Sequence, residues 1–147
     1  MASDERNEYY KVVLTLNPEQ CRVLKHVCEL YMRMHIGQLD RLAEDLVRLD
    51  PDHNGEEWEH YMQRLSVAKQ VCETLKLIAY PSLTHPGMSR NADSEEWANE
   101  ACDIWQVLRH AQAWHEHPEG GYAVCFHMPL KKGKYPLPTC EIVEVDK

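Results

Sequence analysis

Apolar positions in this chain recur at two periods. From Tyr9 to Leu16 they alternate, with Tyr10, Val12, Leu14 and Leu16 on one side, and the β-branched content predicts a strand over 8–16. From Pro18 the period changes to three and four. Leu24, Val27, Cys28, Tyr31, Met34, Leu39, Leu42, Leu46 and Leu49 form one stripe, which predicts a single helix over 18–49. Asn17-Pro18-Glu19-Gln20 is its start, with Asn17 as cap and Gln20 placed to reach back. Gly37 marks a bend or a point of close approach, and Asp50-Pro51 stops the helix.

A second helix is predicted over 56–79, with a near-heptad seam of Trp58, Tyr61, Met62, Leu65, Ala68, Cys72, Leu75 and Ala79. Joined to the first by a short turn, it makes a long antiparallel hairpin. Residues 80–92 form a loop with two prolines. A third helix follows over 94–116, capped by Asp93 and ended by Pro118, Gly120 and Gly121. Its apolar stripe is Trp97, Ala101, Ile104, Leu108, Ala111 and His115. Alternation returns over 122–127 and 139–145, which predicts two strands that could form one small antiparallel sheet with the first. The expected fold class is therefore α+β, in one domain over 1–147 with residues 1–7 loose.

Composition narrows the partners. A formal net charge of −8 excludes a broad nucleic-acid or anionic-membrane footprint. It leaves room for a small anion held by a few local donors. The six cysteines contain no CxxC pair and read as reduced thiols. No leader and no membrane-length apolar run is read from the chain, so the expected compartment is the cytoplasm.

Chemistry is sparse. No GxSxG, P-loop or GxGxxG is present, and the carboxylates at Glu56-Glu57 and Glu95-Glu96 fall in first helical turns, where negative charge is expected. No catalytic residue and no cofactor are assigned. His110, His115 and His117 invite a metal reading, but a five-residue step turns His110 and His115 to different faces, so no metal is expected. The donors best suited to an anionic ligand are Arg90, Asn91 and Arg109, with Trp105 able to stack on a base. Arg33, His35 and Gln38 cluster around Gly37, where a ligand or partner could come close.

Several of these segments occur together in a known group. LNPEQ (16–20), LYMRMHIGQLDRLAE (30–44), the Pro/Gly loop carrying Asn91, DIWQVLRHAQAW (103–114), PEGG (118–121) and PLP (136–138) resemble small phage-encoded proteins. Within that group the chain is similar to the Thoeris anti-defence sponge family, most specifically over residues 30–40 and 103–121. The resemblance implies a non-enzymatic protein that sequesters a cyclic ADP-ribose or cyclic-nucleotide immune signal and so counteracts bacterial anti-phage defence. It implies a homodimer or higher homo-oligomer built on long helices, with pockets near the subunit junction. It also implies a pocket in which Trp105 or Tyr80 stacks on the ligand and Asn91 and Arg109 bind it. Two rival expectations remain: a helical module docking a host protein, and a metallohydrolase using the histidines near 110–117.

Overall fold

The computed structural model describes residues 11–48, 57–84, 88–90 and 96–145. Among the described residues lie four helices: α1 (Pro18–His35), α2 (Asp40–Arg48), α3 (Trp58–Ala79) and α4 (Glu96–Glu116). A 3₁₀ turn follows at Val124–Phe126.

α1 begins at a complete capping box. The Asn17 side chain accepts the Gln20 N–H at 2.8 Å, and the Gln20 side chain accepts the Asn17 N–H at 3.0 Å. Its other end corrects the sequence reading. The helix expected over 18–49 is two helices, divided at Gly37, whose φ is +78°. The Gly37 N–H donates to the Met34 carbonyl and the Gln38 N–H to the Arg33 carbonyl, the paired bonds of a Schellman closure. Only glycine takes that left-handed position without strain, and the space is tight as well. A Cβ there would stand 3.1 Å from Leu83 Cδ1.

The break lets the chain fold back. His26 Nε2 of α1 meets Asp45 Oδ2 of α2 at 2.7 Å. α2 packs on α3, around Leu39, Ala43 and Cys72 with Met34 and Ala68 against them. α1 packs on α4. Gln112 in the last turns of α4 bonds Cys21 and Lys25 in the first turns of α1, while Arg90, ahead of α4, bonds Ile36 just after α1. The two helices are therefore antiparallel. The architecture is two helix pairs joined at the Gly37 turn.

The expected sheet is absent among the described residues. Residues 11–16 and 139–145 carry no strand, residues 8–10 lie outside the described residues, and 122–127 contains the 3₁₀ turn. The fold is helical, not α+β. The reason lies in where the backbone finds its partners. Over 125–135 several main-chain groups are met by side chains of α4, described below, in place of a ladder. The buried side of α4 is also rotated from the expected stripe. Ala98, Ala101 and Cys102 are buried, whereas Trp97 is exposed. In α3, Leu65 and Cys72 are buried while Trp58 and Leu75 are exposed. No helix among the described residues is long and apolar enough to cross a membrane.

Candidate functional site

α4 works on three sides. One packs on α1. A second is a polar stripe, Glu100, Asp103, Gln106, His110 and Trp114, at steps of three and four, so these side chains share one face. That face holds the chain that returns after the helix. Trp114 Nε1 donates to the Phe126 carbonyl at 3.2 Å, and His110 Nδ1 lies 3.2 Å from the Cys125 carbonyl. Gln106 bonds both the carbonyl and the N–H of Leu130. The two oxygens of Asp103 accept the N–H groups of Lys132 (2.8 Å) and Gly133 (2.9 Å). Glu100 accepts those of Lys134 and Tyr135. A Cβ at Gly133 would collide with the Glu100 carboxylate, which would have to shift away from the N–H groups it accepts.

Between these two sides sits Arg109. Its guanidinium carbon lies 4.1 Å above the centre of the Trp105 ring, a cation–π arrangement. Its Nε is fully buried and has no hydrogen-bond partner among the described residues. A buried unpaired donor of this kind costs about 1–3 kcal/mol. One turn on, Gln112 holds Lys25 of α1 through its side-chain oxygen at 2.5 Å. The two cations at this seam therefore meet an aromatic ring and a neutral amide. Burial pushes the Cys102 thiol up from its ordinary value, and Gln106 bonds its sulfur at 3.4 Å, offsetting part of that.

The remaining expected site residues lie elsewhere. Arg90 stacks over Tyr80 with 4.7 Å to the ring centre, and its N–H and side chain bond the Ile36 and His35 carbonyls. The Tyr80 hydroxyl donates to the Met34 carbonyl. Arg33 pairs with Glu29 at 2.8 Å and donates to Gln38 at 2.7 Å. Arg90, Tyr80 and Arg33 thus converge on the Gly37 turn and hold the end of α1 in place. Trp105 and Arg109 form the separate pair on α4. Asn91 lies outside the described residues.

Among the described residues no group of three His, Cys, Asp or Glu side chains is placed to hold a metal ion. His110 is engaged with the returning chain, and His117 stands 3.4 Å from Glu119. Sequence reading missed the Lys25–Gln112 bond between α1 and α4, since nothing local links residues 87 positions apart. It also missed Glu100, Asp103 and Gln106 as holders of the tail. The polar stripe at helical spacing was the signal available for those three.

No protein-family model, curated protein or solved structure matches the chain.

Proposed function

We propose that the chain is a non-enzymatic binder of a cyclic ADP-ribose or cyclic-nucleotide signal, acting in a bacterial host cytoplasm to keep that signal from its effector. The observation that carries this reading is Arg109: a half-buried guanidinium on the Trp105 ring, with its Nε lacking an acceptor among the described residues. A phosphate oxygen is the acceptor a guanidinium takes most readily, since charge-assisted bonds from arginine to phosphate are among the stronger ones proteins make. Trp105 offers a flat apolar face to a base or ribose next to it. A chain of net charge −8 can hold such an anion because the seam itself brings no carboxylate to Arg109 or Lys25 among the described residues. The likeness of residues 103–121 to the sponge family points to the same two residues.

Sequestration needs only affinity, so no reacting group is required. The test is to incubate purified protein with cyclic ADP-ribose isomers and cyclic di- and trinucleotides, filter, and measure free ligand before and after heat denaturation. Ligand that disappears and returns intact supports storage. Ligand that returns as product makes the protein an enzyme, and no depletion of any nucleotide removes the reading.

A further inference from the structure

Two thiols from the two ends of the chain meet beside the α1–α4 seam. Cys21 lies in the first turns of α1, half-buried, and its sulfur accepts the Gln112 side-chain N–H at 3.3 Å. Cys140 lies in the tail. It is half-buried too, whereas every other residue from 138 to 145 is exposed. The fold therefore covers this one position at the end of the tail. Burial raises the Cys140 thiol from its ordinary value. Cys21 raises it further, because one thiolate opposes the formation of another close by.

The path of the tail accounts for the meeting. Residues 126–135 run back along α4, from Trp114 to Glu100. Cys21 sits at Gln112, about 18 Å along the helix from the level of Glu100. Cys140 follows Tyr135 by five positions, and extended chain covers about 16–18 Å in that length. Pro136 and Pro138 hold the connecting stretch extended, so it can return to the start of α1. Among the described residues no third His, Cys, Asp or Glu completes a metal-binding group with the two sulfurs. The chemistry two neighbouring thiols share without such a group is oxidation to a disulfide.

We propose that Cys21 and Cys140 are a redox pair, which closes to a disulfide and fastens the end of the tail to the start of α1. The oxidant is the disulfide of a small thiol, such as oxidised glutathione. The Cys21 thiolate attacks one glutathione sulfur, the glutathione S–S bond breaks, and one glutathione thiolate leaves. The Cys140 thiolate then attacks the Cys21 sulfur of the mixed disulfide and expels the second glutathione. The two protons of the protein thiols go to the two departing thiolates. The protein gives up two electrons, and one glutathione disulfide is reduced to two thiols. Cys140 takes the second step because burial leaves little of it as thiolate at neutral pH. Both thiols are free in the reduced chain, so the link is a reversible switch. The inference does not depend on any nucleotide.

The test equilibrates the full chain with reduced and oxidised glutathione at a series of ratios. Samples are quenched in acid, unfolded, alkylated and digested without reduction. The expected product is one linked peptide pair, Cys21 with Cys140, lighter than the two thiol peptides by two hydrogens. It should come from a species that migrates as a single chain. The thermal midpoint of that species should lie above that of the reduced protein, since the link constrains the unfolded chain. Cys21→Ser and Cys140→Ser should each abolish the link and leave the remaining thiol carrying glutathione. The proposal is overturned if the wild-type pair stays reduced throughout the series, or if each thiol carries its own glutathione. It is equally overturned if either thiol pairs with another cysteine, or if the link joins two copies.

Discussion

Gln106 and Leu130 exchange two hydrogen bonds: the side-chain amide donates to the Leu130 carbonyl at 3.0 Å, and the Leu130 N–H donates to the amide oxygen at 3.1 Å. A carboxamide presents one donor and one acceptor side by side, as an adjacent strand would. Gln106→Ala removes both bonds and should destabilise by about 1–3 kcal/mol, at about 0.5–1.5 kcal/mol each. Gln106→Glu keeps an acceptor for the N–H but sets a carboxylate oxygen against the Leu130 carbonyl, so it should fail to restore wild-type stability. Urea denaturation midpoints rank the three proteins. Equal stability of wild type and Gln106→Ala would mean the tail is held by other groups.

Gly37→Ala should cost about 1–2 kcal/mol from the left-handed backbone alone, with a further loss from the approach to Leu83. Circular dichroism at high temperature reads the change. A stabilised variant would show that α1 and α2 prefer to join into one continuous helix.

The two clusters of predicted site residues should behave differently. Arg109→Ala should weaken binding of the sequestered nucleotide about 10- to 100-fold, the loss of a charge-assisted bond of about 1.5–3 kcal/mol. Trp105→Ala should weaken it as well. Arg33→Ala should leave affinity near the wild-type value while lowering stability, because Arg33 is engaged with Glu29 and Gln38 at the Gly37 turn. Calorimetric titration separates the cases, and an Arg33→Ala effect equal to that of Arg109→Ala would move the site to the turn.

Glu44 carries a pH signature. The Lys69 ammonium bonded to it at 2.9 Å, aided by Arg41, holds its carboxyl below the ordinary glutamate value. A carboxylate whose folded value is depressed contributes stability above the unfolded value of about 4.3, and that contribution is lost as pH falls through the depressed value. Glu44→Gln should therefore flatten the acid limb of the stability profile and change little near pH 7 beyond the loss of a partly exposed pair, about 0–1 kcal/mol. Thermal melts from pH 7 down to pH 3 compare the two proteins.

The six cysteines are free thiols. Burial raises the Cys28, Cys72 and Cys102 thiols, so little of the reactive thiolate is present at neutral pH. Native protein should therefore be alkylated at those three only slowly, and all six should react in denaturant. Peptide mapping after a short maleimide pulse gives the answer residue by residue.

Local signals were legible wherever the physics was local. Asn17-Pro18-Glu19-Gln20 specifies a helix start because cap, proline and reciprocal side chain act within four residues. Gly37 was visible as an irregularity. Its role as a helix terminus depends on Leu83 and Tyr80 closing over it from 40 or more positions away. The alternation over 122–127 and 139–145 is that of a strand, and period two marks any extended segment with one side covered, whatever covers it. Here a helix covers part of it. Arg109 stands out by its chemistry, and its position beside Trp105 follows from their four-residue step. Lys25 reaches Gln112, one turn further on, only through the pairing of α1 with α4.

That pairing also sets an order of events during synthesis. Lys25 and Gln112 are 87 residues apart, whereas Glu44 and Lys69, which join α2 to α3, are 25 apart. At about 5–20 residues per second, α1 leaves the ribosome about 4–17 s before the helix that covers it. The α2–α3 hairpin can close within that interval. The Cys28 side of α1 stays bare until α4 emerges, which leaves it exposed on the nascent chain throughout that interval.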